Sequence, residues 1–297
     1  MELRDVAAGL AEGAESFDRL FSALWSPIGR ATVKAARLRP GVHVLDAWCG
    51  SGASAIPAAE QVGPYGVIDA VDLAESSLER GRARAAVRGL ANVRFAHGDV
   101  LDWPSPRGGY DAVMCSLGIS SFPDGAAGTE RLLKLVRPGG RLTAAIWSQG
   151  TLESLPELIH RAVAPERPRP AGVPRPADPL QPVGTPRLFR DWLAARSLSS
   201  IEVQYVPLAV PGGPDLLWSL VSGTRLKGLL DGLSVAAVER VRRRFAAGLL
   251  AEGRDTIGFS ALVGTGTLRR VAPPRCPRGA RPSLTAGQPI GPAPRVG

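Results

Sequence analysis

Phe17, Leu20, Phe21, Leu24, Trp25 and Ile28 recur at the i, i+3, i+4, i+7 spacing of a helix that buries one face. Ser26-Pro27 reads as a break with a new start, so two short helices are expected at the front of the chain. The period then drops from 3.6 to 2. Val42-His43-Val44-Leu45-Asp46 is a β-branched run that leads into Gly50-Ser51-Gly52, and small helix-forming residues continue to Val62. The same alternation follows downstream. Strands are expected over 67–72, 92–96, 111–115 and 141–147, helices over 78–88 and 130–136, with Arg137-Pro138-Gly139-Gly140 as the turn into the fifth strand. Strands alternating with helices imply an α/β fold with a doubly wound, mostly parallel sheet.

Eight prolines between Pro165 and Pro186 forbid a helix or a central strand and predict an extended connection over the surface. Beyond it a helix is expected over 187–196, a strand over 201–206, an amphipathic helix over 236–250 and a last strand over 256–263. From Val271 onward seven prolines predict disorder. These breaks divide the chain into residues 1–40, 41–150, 151–268 and 269–297.

With 297 residues, 44% hydrophobic and 21% charged, the chain has a globular composition and can bury a sizeable core. The net charge of +9 suggests nucleic acid until it is located. Six arginines and no acid lie between Arg269 and Gly297, so the preceding 268 residues carry only +3. Basic residues there are scattered among acids without interleaved aromatics, and no nucleic-acid partner is expected. Cys49, Cys115 and Cys276 lack the spacing of a disulfide framework or zinc site, so no metal is expected. An acidic start (Glu2, Asp5, Glu12, Glu15) and the lack of a long apolar run predict a cytoplasmic protein with no membrane span.

Candidate chemistry gathers at the first glycine turn. In an open parallel sheet, ligands bind beyond the carboxyl ends of the strands, where Gly50 and Gly52 let the backbone approach and the following helix offers free N–H groups. The pattern GxGxxA is weak evidence alone. Asp46 precedes the glycines, Asp72 ends the next strand 20 residues after Gly52 in position to accept ribose hydroxyls, and Asp99 follows the third strand.

Val44-Leu45-Asp46-Ala47-Trp48-Cys49-Gly50-Ser51-Gly52 resembles the first motif of the class I S-adenosylmethionine-dependent methyltransferases. Gly63-Pro64-Tyr65-Gly66 through Asp72-Leu73 resembles the approach to their ribose-binding acid, and Gly98-Asp99-Val100 their adenine motif. Tyr110-Asp111-Ala112-Val113 is similar to their fourth strand, and Leu135–Leu142 to the turn before the fifth. The pattern is most similar to the branch related to the ubiquinone and menaquinone C-methyltransferases. The resemblance implies a Rossmann-like sheet with an antiparallel last strand, an N-terminal helical cap (1–40), a cofactor-binding core (41–150), a substrate lid with the last two strands (151–268), and a Pro/Arg-rich tail.

It also implies S-adenosylmethionine as cofactor. Asp46, Ala47, Gly50 and Gly52 would frame the methionine portion, Asp72 and Leu73 the ribose, Asp99 and Val100 the adenine, and Ser116 the methyl-facing edge. The family usually has glycine where this chain has Trp48, whose ring must either turn away or narrow the loop. Methyl transfer needs no protein nucleophile, and of the histidines His43 and His97 read as structural while His160 lies in the expected lid. Cys115 lacks the preceding proline of the pyrimidine methyltransferases and reads as a buried thiol; the stretch Cys115–Ser120 also lacks the motif of nucleic-acid amino methyltransferases. A small apolar or aromatic acceptor is expected. Two alternatives stay open: a protein that binds the cofactor without transferring methyl, and a nicotinamide oxidoreductase, which the absence of a Tyr-x-x-x-Lys pair disfavours.

Overall fold

A computed structural model describes residues 13–151, 154–167, 183–211, 213–253 and 256–269. The expected tail from Val271 and most of the proline-rich connection lie outside the described residues. Seven strands form one sheet in the order β3-β2-β1-β4-β5-β7-β6. They are β1 (His43–Ala47), β2 (Val67–Asp72), β3 (Val93–His97), β4 (Tyr110–Ser116), β5 (Val136–Trp147), β6 (Leu198–Pro211) and β7 (Thr256–Leu268). β1 to β5 pair in parallel, and β7 runs antiparallel between β5 and β6. The strand order reverses between β1 and β4, the place where such sheets open a crevice.

Period-2 alternation sorts β1 between two layers. Val44 packs with Ala55, Ala59 and Val62 of α3 (Ala55–Val62), whereas Leu45 and Ala47 pack with Phe122 and with Leu132 of α5 (Gly125–Leu135). Asp46 shares the face of Val44, and Asp72 that of Ile68 and Ala70 on the neighbouring strand, so both carboxylates emerge on the α3 side of the crevice. The helix expected over 130–136 starts five residues earlier, because Asp124 caps its first turn by accepting from the N–H groups of Ala126 and Ala127. Arg137–Gly140 is a bulge inside β5: Val136 pairs with Tyr110, the register shifts, and Arg141 resumes opposite Ala112.

At the front, α1 (Ala14–Arg19) is joined to α2 (Ser26–Ala36) by a π-helical turn, Phe21–Trp25. These elements cap the carboxyl edge together with α6 (Ser154–Val163), α8 (Pro214–Gly223) and α9 (Val235–Ala251). Leu20, Leu24, Leu155, Leu217 and Phe245 belong to the apolar layer they share. Two further helices, α4 (Glu75–Val87) and α7 (Pro186–Ala194), pack on the sheet at β3 and β6. Among the described residues no helix is long and apolar enough to cross a membrane.

Candidate active site

Asp46 is fully buried at the end of β1, and the Ser54 hydroxyl lies 3.0 and 2.7 Å from its two oxygens. Burial pushes its carboxyl up to about 7, against the pull of the Ser54 bond. After Ala47 the backbone turns sharply, with Trp48, Gly50 and Gly52 all at positive φ (56°, 53° and 89°). Glycine adopts this region freely, whereas tryptophan there is strained. Asp72, 6% exposed, fastens the turn from the neighbouring strand: one oxygen accepts the N–H of Gly50 at 2.9 Å, the other that of Ala74 at 2.8 Å. Burial raises its pKa while these N–H groups lower it. The carboxylate keeps acceptor capacity for a further donor.

The Gly98 N–H donates to the Asp72 carbonyl at 3.0 Å, which draws the end of β3 to this edge, and Asp99 follows with one oxygen accepting from the Leu101 N–H at 2.8 Å. Leu73 is half-buried, and its carbonyl is 3.1 Å from the ring of the exposed His97. The structure thus joins Asp46, Gly50, Gly52, Asp72 and Leu73 in one hydrogen-bonded neighbourhood with Asp99 beside it. Ala47 and Val100 are fully enclosed by apolar neighbours. Ser116 lies across β1 at the end of β4, its hydroxyl 3.4 Å from that of Thr32 on α2.

The Trp48 ring leans to the β4 side of β1, away from Asp72. It meets Phe122 edge to face at 6.2 Å, and a Cβ placed on Gly118 would sit 2.6 Å from the Trp48 Cβ. Glycine at 118 therefore makes the space that tryptophan at 48 takes. Cys115 is fully buried, and burial pushes its thiol well above the usual range. His43 stands at the opposite end of β1, 2.7 Å from Asp69, which also accepts the Tyr110 hydroxyl. His160 has a buried Nε2 without a partner among the described residues, on a helix packed against α9 and the turn Arg225–Leu230. Phe17 stacks on Trp25, ring centroids 4.4 Å apart, within the apolar cap.

Sequence reasoning missed Ser54, Ser51 and Arg84. Ser54 was legible as a hydroxyl eight residues after Asp46, across the turn. Arg84 was not, because its partners Asp18 and Ser51 are 66 and 33 residues away. Ser51 bears on the cofactor. It is 3% exposed inside the glycine turn, and its hydroxyl has no partner among the described residues. A buried polar atom left unpaired costs about 1–3 kcal/mol, so a site that carries one suits a ligand with polar atoms. Together with three acceptor carboxylates on one edge, this set of polar groups fits an adenosine bearing a methionine-like arm.

Comparison with known proteins agrees. Residues 44–140 match a methyltransferase-domain family. The nocamycin O-methyltransferase of Saccharothrix syringae is 34% identical over 262 residues, covering 82% of this chain and 91% of that protein. The demethylmenaquinone methyltransferase of Listeria monocytogenes is 30% identical over 149 residues, covering 49% of this chain and 63% of that protein. In fold, the chain matches the crystal structure of YcgJ from Bacillus subtilis with a TM-score of 0.52 at 18% identity, covering 82% of this chain and 98% of the other. The chain belongs to the class I S-adenosylmethionine-dependent methyltransferases, on the branch that includes enzymes of natural-product and quinone methylation.

Proposed function

We propose that the enzyme methylates an oxygen or carbon of a small, apolar or aromatic acceptor of natural-product or quinone type. The observation that carries this reading is the run of mutually tilted aromatic rings packed at the carboxyl edge. Trp25 lies 6.3 Å from Trp147, which lies 6.1 Å from Phe259, with Leu117 beside them at the end of β4. Such an aromatic layer, buried except for the half-buried Trp147, suits planar apolar ligands beside it. The relatives, one named for O-methylation and one for a quinone, support it.

Bound S-adenosylmethionine supplies an activated methyl group, so no nucleophile of the protein is needed. Asp72 would accept the ribose hydroxyls, with Leu73 beside it. Asp99 and Val100 would frame the adenine, Asp46, Ala47, Gly50 and Gly52 the amino-acid arm, and Ser116 the methyl side. The apolar cap excludes water and holds the acceptor in line at contact distance. A cytoplasmic setting is part of the proposal, in keeping with the free buried thiols of Cys49 and Cys115.

Calorimetry with S-adenosylmethionine and S-adenosylhomocysteine tests the cofactor site. Asp72→Asn removes a buried charged acceptor and should weaken both by about 1.5–3 kcal/mol. Incubation with methyl-labelled cofactor and a panel of phenols, quinols and amines then tests the acceptor. A product formed only from charged amines would sink the apolar reading, and no binding of either cofactor form would sink the site itself.

A further inference from the structure

One side chain bridges the glycine turn and the helices that cover it. Arg84 projects from α4, 21% exposed. Its Nη2 donates at 2.8 Å to both oxygens of Asp18 on α1, and its Nη1 to the Ser51 carbonyl at 3.3 Å. The guanidinium also lies 3.8 Å from the ring centroid of Phe21 in the π-helical turn. Arg80 reinforces Asp18 from one turn earlier on α4, at 3.5 Å. Three elements far apart in sequence are thus held by one planar fork, a geometry that lysine cannot reproduce.

The covering helix is also packed closely on α8 and tied to the π-helical turn, where the Trp25 Nε1–H donates to the Phe17 carbonyl at 2.7 Å. α1 is six residues long and meets α8 through glycine contacts: a Cβ on Gly223 would sit 2.5 Å from the Phe17 N atom, and one on Gly13 2.6 Å from the Ser222 carbonyl oxygen. Phe17 reaches the glycine turn itself, its ring edge 3.7 Å from where a Gly50 Cβ would lie. Between α1 and α2 the π-helical turn inserts an extra residue, with the Trp25 N–H bonding back to the Leu20 carbonyl at 3.3 Å. Such turns recur at functional sites.

We propose that Arg84 is a latch that ties α1 down over the cofactor turn and so sets how long the cofactor stays bound. The proposal rests on the glycine turn being the cofactor site. Release requires α1 to lift about the π-helical turn, which breaks the Asp18 pair and the Phe21 contact together. Arg84 is a positioning residue: it acts through α1 and through the backbone of Ser51.

The test is stopped-flow displacement of S-adenosylhomocysteine from the full chain, read by intrinsic tryptophan fluorescence, for wild type, Arg84→Lys, Arg84→Ala, Asp18→Asn and the double variant. Each single variant should release the ligand on the order of tenfold faster, the double variant no faster than the worse single. Salt should accelerate release from wild type more than from Arg84→Ala, which keeps only the longer Arg80–Asp18 pair to screen. Hydrogen exchange should rise over residues 14–25 alone. Asp18→Asn preserves shape and serves if Arg84→Ala does not fold. Folded variants with wild-type release rates, or a double variant whose effect is the product of the singles, would overturn the latch. Failure of wild type to bind S-adenosylhomocysteine would instead overturn the cofactor reading beneath it.

Discussion

Gly118→Ala isolates the fit between the tryptophan of the cofactor turn and the loop after β4. The backbone at Gly118 is at φ −78°, ordinary for any residue, so alanine brings no conformational strain and its effect comes from contact alone. The new Cβ would lie 2.6 Å from the Trp48 Cβ, 2.9 Å from the Cys115 Sγ and 3.0 Å from the Trp48 Cγ. None of these is the free end of a flexible chain: Trp48 is held at φ 56° with its ring against Phe122, and Cys115 is fully buried. Overpacking of this kind costs about 1–3 kcal/mol. Trp48→Gly alone removes a half-buried ring, at about 2 kcal/mol, while relieving about 1 kcal/mol of left-handed backbone strain. In the double variant the two contacts with Trp48 disappear and only the approach to the Cys115 Sγ remains, so the two effects should fall short of their sum by about 1 kcal/mol. Urea denaturation followed by circular dichroism, with unchanged m-values, measures all three. A Gly118→Ala penalty below about 0.5 kcal/mol, or additivity within that margin, would refute the reasoning.

Two further predictions concern charge. Asp46 titrates near 7, so it gains its negative charge as pH rises from 6 to 8. Affinity for the cationic S-adenosylmethionine should increase over that window while affinity for neutral S-adenosylhomocysteine changes less, and Asp46→Asn should flatten the difference in calorimetric titrations. Glu166 is held near 2 by hydrogen bonds from Arg240 and Arg244, well below the ordinary value of about 4.3. Because its folded pKa is depressed, its stabilisation is complete above the unfolded value and vanishes as pH falls toward 2. Glu166→Gln should therefore lower Tm at pH 7, with the gap to wild type closing in acid; a constant gap from pH 7 to pH 2 would argue against the pairing.

Local pattern went furthest where each element is decided by its own neighbours in sequence. The strand at 42–46, the glycines after it and the acid ending the second strand are short-range signals, and their order placed the carboxylates on one edge before any coordinates. Elements whose apolar residues wrap all round gave weaker signals. α8 was not foreseen because Leu216, Leu217, Trp218, Leu220 and Val221 form a nearly continuous apolar run without a clear polar face, and only burial among α1, α9 and the cap makes it a helix. β6 and β7 run several residues past their expected ends because each lends the other hydrogen-bond partners that no single run reveals.

The sequence by itself determined the strand and helix order, the glycine turn and the three acids that face it, since these follow from periodicity and spacing along the chain. Tertiary structure alone decided which way the Trp48 ring turns, that Gly118 makes its space, that Ser54 holds Asp46, and that Arg84 reaches Asp18 and Ser51. These depend on side chains meeting across tens of residues, and contact at that range is set by the packing of whole layers and leaves no period to read.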